Sequence, residues 1–371
     1  MADNGNIRDA IMRMFAGEAI DFTPNFSGMG SITLPGIQKL GYSFNEVHVD
    51  ARKMAKAAAS SYKDFGLHSA VVPFDMGVEA EALGAGVKYY EKGEGQIIYP
   101  TMTDKLVSRA DIEIPPDLPE NKHKSYLRKA IDQAIIDLDI QWPADLAHAG
   151  RIPVVLEAIR LLKEDVGRDI PVAAWVLGPF TLAGQIVELE NLLKLTFKKR
   201  EVIDHHLSRL ADYLTEVLKL YIEAGADFVT VREMGATGDL LSRNMFADLI
   251  QPHLTDLFSR ITEVPTVLHI CGNTNTIIDL MAECGSTALS VDHKNDLAET
   301  RARLPGILIF GNYDAYGILS EGSPDDVETG IKAVIDAGAD AVWPGCDIWP
   351  SVAPENMKAM MEATDRYGAK A

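Results

Sequence analysis

The chain has 371 residues, 47% of them hydrophobic, enough for a sizeable core and too many for wholesale disorder. Its 54 acidic and 35 basic residues leave a net charge of −19, which repels phosphate backbones and anionic lipid and argues against nucleic-acid or membrane-surface work. Three cysteines, an odd count in a long chain, point to a reducing cytoplasm rather than a disulfide scaffold.

No apolar run reaches the roughly 18 residues of a membrane helix, and the first residues lack the cationic-then-apolar pattern of a signal peptide. Short β-branched runs alternate with longer amphipathic stretches. Strands are expected at 22–27, 69–73, 171–177, 227–232, 265–270, 287–291, 307–312 and 339–345. These runs lack a clean in/out alternation, as strands covered on both faces do. The stretch 84–104 partly alternates, carries a turn at 92–95, and reads as a β-hairpin inserted after the second strand. The stretch 122–167 reads as mostly helical, a cap segment rather than a separate domain. A long helix is expected over 202–224, where Val202, Leu207, Leu210, Leu214, Leu218 and Ile222 share a stripe. Another spans 324–337, with Ser323 as N-cap, Pro324 at the first position and Gly338 just beyond the end. Repeated strand–helix units imply parallel strands with right-handed crossovers. Eight of them favour a single α/β (β/α)₈ TIM barrel over an open doubly wound sheet.

The sharpest chemical feature is His269-Ile270-Cys271 at the end of the fifth expected strand. Residues i and i+2 of a strand face the same side, so one imidazole and one thiolate can meet one soft metal ion. Cys346 follows the last strand, and both places lie where barrels put their active sites. His, Cys and Cys make a three-ligand zinc set with an exchangeable fourth position. The competing reading is two packed strand residues and an inert buried thiol. Cys284 follows a helix and reads as a packed or surface thiol. Gly28-Met29-Gly30 lacks the rest of a dinucleotide fingerprint.

The stretches FAGEAIDFTP (15–24), VPFDMGVEAEALGAGV (72–87), GPFTLAGQI (178–186), LHICGNTNTII (268–278), SVDHKND (290–296) and PGCDIWPSVAPENM (344–357) carry a resemblance over nearly the whole chain. The chain resembles the uroporphyrinogen decarboxylase superfamily, and within it the methylcobamide:coenzyme M methyltransferase branch. The resemblance implies a (β/α)₈ barrel and zinc held by His269, Cys271 and Cys346. It also implies a methylcorrinoid on a separate corrinoid protein as methyl donor, and a thiol such as coenzyme M as acceptor. A different acceptor or donor, such as a folate or a methylated substrate, and decarboxylation of uroporphyrinogen are the alternatives. The decarboxylase's early arginine-rich motif has no counterpart in NFSGMGSITLPG (25–36). Asp292, just after the sixth strand, is a candidate fourth zinc ligand, with a second reading as acceptor for the other ring nitrogen of His269. Glu79 and Glu81 are candidates for lining the corrinoid or acceptor site, or else acidic residues of a helix first turn. After the fourth strand the branch typically shows an Asp-Pro run before a Ser-Gly-Asp; here the segment reads Arg232-Glu233-Met234-Gly235-Ala236-Thr237-Gly238-Asp239, with Arg232 and Asp239 as candidate binding residues. Arg232 either grips an anionic acceptor or pairs with Glu233 or Asp239 to shape the loop.

Overall fold

The computed structural model describes residues 6–90 and 96–370. Seven parallel strands form one curled sheet. In chain order the strands are β1 (Ala70–Val72), β4 (Val172–Leu177), β5 (Phe228–Arg232), β6 (Thr266–Ile270), β7 (Ala288–Val291), β8 (Leu308–Tyr313) and β9 (Ala341–Pro344), and they neighbour one another in that same order. The fold is TIM-barrel-like α/β, as the alternating pattern requires.

The first expected strand, 22–27, is not a ladder strand. It makes isolated bridges, Asn25 with Val342 and Phe22 with Ala369. On the β9 side it still exchanges main-chain bonds, Phe26 N–H to Val342 O and Val342 N–H to Pro24 O. On the β1 side, side chains take the place of carbonyls. Asn25 N–H donates to His68 Nδ1 and Ser27 N–H to Ser69 Oγ. Pro24 has no N–H to offer. The segment therefore closes the sheet between β9 and β1 without forming a regular strand.

The inserted hairpin pairs β2 (Gly86–Lys88) antiparallel with β3 (Thr101–Asp104), and its expected turn at 92–95 lies outside the described residues. In the stretch read as mostly helical, the helix Ile152–Asp165 packs against β4 and the long helix Arg200–Ala224, and so serves as a crossover helix of the barrel. A second helix there, Glu120–Ile136, packs against Leu189–Lys198. The helix Pro324–Asp336 starts with the expected Ser323 cap, reinforced by the Asp326 side chain, and Gly338 follows it at φ 86°. Among the described residues no helix is long and apolar enough to cross a membrane.

An aromatic cluster fills the sheet's interior. The N-terminal helix Ile7–Phe15 brings in Phe15, which meets Phe26, Phe228 and Phe310, and Trp343 stacks on Phe310 at 5.2 Å. Phe228 and Trp343 crowd Gly28, where an added Cβ would lie 2.2 Å from Thr230 Oγ1. Glycine at 28 is thus a close-approach residue, not a phosphate-binding one. Truncating Phe228 to Ala is expected to cost about 3–5 kcal/mol of stability, because the surrounding rings leave a cavity that only partly collapses. The denaturant midpoint of the variant against wild type measures it.

Candidate active site

Three loops at the C-terminal ends of β6, β7 and β9 carry the site. β6 is buried along its length and ends in His269 and Ile270. Cys271 follows, and then Gly272 turns the chain at φ 84°, a left-handed conformation that favours glycine. The loops are stitched by two amides. Asn295 Oδ1 accepts from Thr274 N–H and Oγ1–H, and Asn295 Nδ2 donates to Gly272 O. Asn312 Nδ2 on β8 donates to the carbonyls of Asp292 and Asn295. The β9 loop is held by Gly345 N–H on Tyr313 O and by Ile348 N–H on Gly30 O.

This scaffold brings His269, Cys271 and Cys346 into one contact chain. His269 is fully buried. Its Nε2 lies 2.9 Å from Cys271 Sγ, and Cys271 Sγ lies 3.5 Å from Cys346 Sγ. Nδ1 of His269 is hydrogen bonded to Ser290 Oγ at 2.9 Å, which fixes the ring and turns Nε2 toward the sulfurs. Ser290 faces His269 directly in the β6–β7 register. The hydrogen bond between the two thiols, with burial, pushes Cys271 up, and the same bond draws Cys346 down. Among the described residues no group of three or more His, Cys, Asp or Glu stands as a finished cation cage. The three donor atoms are closed on one another by hydrogen bonds. A tetrahedral zinc ion would need an N···S edge of about 3.5 Å, roughly half an ångström longer than the imidazole–sulfur contact of 2.9 Å. One nitrogen and two sulfurs suit zinc by donor chemistry.

Asp292 is buried, and its Oδ1 accepts from Lys294 N–H at 2.9 Å and pairs with His293 Nδ1 at 3.2 Å. The partner of His269 Nδ1 is Ser290. Cys284 is fully buried, donates to Leu280 O and is pushed up to about 12 by burial, a packed thiol.

Arg232 is 1% exposed and stacks over Trp175 at 4.5 Å. Its ion pair is with Asp347, Nη2 to Oδ2 at 2.7 Å, and not with Glu233 or Asp239. The guanidinium is within electrostatic reach of both Cys271 and Cys346. Asp347 also accepts Gly30 N–H at 2.7 Å. Asp239 is exposed on the loop whose Gly238 N–H bonds Asn273 O. Glu233 turns away and caps the helix Pro179–Ile186, accepting from Phe180 N–H, Thr181 N–H and Thr181 Oγ1–H. Burial pushes Glu233 up to about 7.

The family profile described as Uroporphyrinogen decarboxylase (URO-D) matches residues 6–143 and 117–367. The chain belongs to the uroporphyrinogen decarboxylase family. Within it, the chain is 30% identical to a methylcobamide:CoM methyltransferase of Methanosarcina barkeri, with 98% of each chain covered. It is 25% identical to a methylated-thiol–coenzyme M methyltransferase of Methanosarcina mazei, covering 94% of this chain and 86% of that one. It is also 25% identical to a uroporphyrinogen decarboxylase of Idiomarina loihiensis, covering 82% of this chain and 79% of the relative. Among solved structures, a methyltransferase from Methanosarcina mazei superposes with a TM-score of 0.84 at 28% identity, covering 98% of this chain and 99% of the other.

Across the rim, the segment after β1 carries the family's VEAEALG stretch. Glu81 accepts from Arg151 Nε at 2.7 Å and from the Tyr89 hydroxyl. Arg151 also grips Asp75 with two bonds of 2.6 and 2.9 Å, and His48 bonds the same carboxylate. The hairpin supplies Tyr99, half-buried, packed on Phe44 and His48, and within electrostatic reach of Asp347, Asp75 and Cys346. Neither Tyr99 nor Asp347 stood out in the sequence. Glu79 is fully buried beneath this rim, and neither of its oxygens has a partner. Burial, then the nearby Asp75 charge, pushes it up to about 8.

A carboxyl raised in this way is protonated in the folded state while the unfolded chain ionises near 4.5. Its stabilising contribution is complete below the unfolded value and is lost as pH rises through the folded one. Glu79→Gln is therefore expected to gain stability relative to wild type between about pH 5 and about pH 8, by up to about 1.4 kcal/mol per pH unit, and to hold that gain above. Urea midpoints of both proteins across that range test it, and a constant difference would assign Glu79 an ionised, solvated state.

Proposed function

We propose that this chain is a zinc-dependent methyltransferase that moves a methyl group between a methylcorrinoid, carried by a separate corrinoid protein, and a small thiol acceptor. The observation that carries the reading is the contact chain of His269, Cys271 and Cys346 at one rim of the barrel. Relatives named methylcobamide:CoM methyltransferases, matched over nearly full length, support the reaction class.

His269 Nε2, Cys271 Sγ and Cys346 Sγ would hold the ion. When bound, zinc supplies a Lewis acid that keeps the acceptor sulfur as a thiolate, the nucleophilic form. Ser290 fixes the ring orientation of His269. The amides of Asn295 and Asn312 keep the cysteine-bearing loops from drifting, so donor positions are set before the acceptor arrives. The acceptor thiol releases its proton to solvent, and its sulfur attacks the methyl carbon. A sulfur–carbon bond forms, the cobalt–carbon bond breaks, and its electron pair stays on cobalt, taking Co(III) to Co(I). Glu79 and Glu81 do not offer free carboxylates to the methyl donor, since one is buried and the other is bound to Arg151. The chain lacks an Asp-x-His-x-x-Gly corrinoid-binding pattern, in keeping with a donor on another protein.

Elemental analysis is expected to find about one zinc per chain. Cys271→Ala and Cys346→Ala are expected to lose most of it, and Cys284→Ala to keep it. His269→Ala is expected to abolish demethylation of methylcobalamin by thiols, followed in the visible spectrum, with near-normal circular dichroism. Full zinc in the Cys271 variant would remove the reading.

A further inference from the structure

We infer that the acceptor is a thiol without a negative charge near its sulfur, and that Asp347 is the residue that selects it. The inference rests on the methyl-transfer reading above and names the substrate class of that same site. Arg232 is the guanidinium within reach of both sulfurs, but its charge points inward. It is 1% exposed, stacked on Trp175, and bound through Nη2 to Asp347 Oδ2 at 2.7 Å. Asp347 is the outward member of the pair, with 34% of its side chain exposed. A head group entering beside Cys346 meets this carboxylate before it meets the guanidinium.

Asp347 does not give way cheaply. Its second oxygen accepts Gly30 N–H at 2.7 Å, so a displaced carboxylate orphans a main-chain donor and an N–H of a buried guanidinium together. The other arginine of the rim is equally committed. Arg151 spends its charge on Asp75 at 2.6 and 2.9 Å and on Glu81 at 2.7 Å. Tyr99 packs on Phe44 and His48, within electrostatic reach of Asp347 and Cys346, and burial raises its phenol above the usual range. The partly exposed charge beside Cys346 is thus a carboxylate. Juxtaposed like charges are a strong element of discrimination between ligands.

Two probes of equal length separate the cases: 2-mercaptoethanol and 2-mercaptoethanesulfonate, titrated calorimetrically into the zinc-containing protein. Wild type is expected to bind the neutral thiol about tenfold or more tightly than the sulfonate. Asp347→Asn keeps one carbonyl oxygen, for Gly30 N–H or for Arg232 but not for both, so its zinc content is measured beside wild type before the titration. It is expected to tighten the sulfonate relative to the neutral thiol until the two differ by about twofold or less. Asp347→Glu should retain the preference. Tighter binding of the sulfonate by wild type, or an unchanged ratio in Asp347→Asn, overturns the inference and leaves the methyl-transfer reading standing. Failure of wild type to bind either thiol overturns both.

Discussion

Two sulfurs 75 positions apart lie 3.5 Å from each other, and that contact depends on the sheet being parallel and curled. Parallel strands all end on one rim, so the loops after β6 and β9 open on the same side although two strands separate them. Curling then carries those rims toward each other. The segment 22–27 makes the curl possible. It exchanges main-chain bonds with β9 on one flank and meets His68 and Ser69 side chains on the other. An open sheet would leave β9 as an unpaired edge and Cys346 on a free flank.

Closure alone leaves the sulfurs on loops, and loops move. Here the polar groups of the rim are spent on one another. Asn295 joins the β7 loop to the β6 loop, Asn312 joins it to β8, and Asp347 ties the β9 loop to Gly30 and to β5 through Arg232. Asn295 and Arg232 are buried, so breaking a bond that either makes strands a buried group at a cost of about 1–3 kcal/mol. The positions of the His269, Cys271 and Cys346 donor atoms are thus tied to this network and not to packing alone.

The alternation of strand and helix was legible because each strand is a continuous apolar run bounded by a turn, and seven of the eight runs became ladder strands within a residue or two. The exception contains Pro24, and its remaining donors found side chains 43 and 42 residues away that no local pattern announces. His269 and Cys271 were legible from i, i+2 spacing at a strand end, and Cys346 from its place after the last strand. Ser290 was not, because its role follows from the register that sets it opposite His269. Asp347 lies beside Cys346 in the chain, yet its meaning comes from Arg232, 115 residues earlier. Arg232 was visible as a strand-end cation, but its partner was sought among neighbours in sequence, Glu233 and Asp239. Glu233 instead turns back to cap the helix after β4.

The pairing of Arg232 with Asp347 also bears on how reactive a sulfur at this rim can be. An unpaired guanidinium beside a thiolate stabilises the anion, and a more stabilised thiolate is a weaker nucleophile, since nucleophilicity falls with the thiol's pKa. A site with no cation nearby would instead raise the cost of making the thiolate at all in so buried a place. Arg232 neutralised by Asp347 falls between these limits, a dipole whose positive end faces the interior and whose negative end faces solvent. Across the rim the sum differs, since Arg151 faces two carboxylates, Asp75 and Glu81, and burial raises Glu79 toward its protonated form. In a chain with a net charge of −19, the charge nearest the two sulfurs is thus the paired Arg232 and Asp347, whose opposite signs offset each other locally.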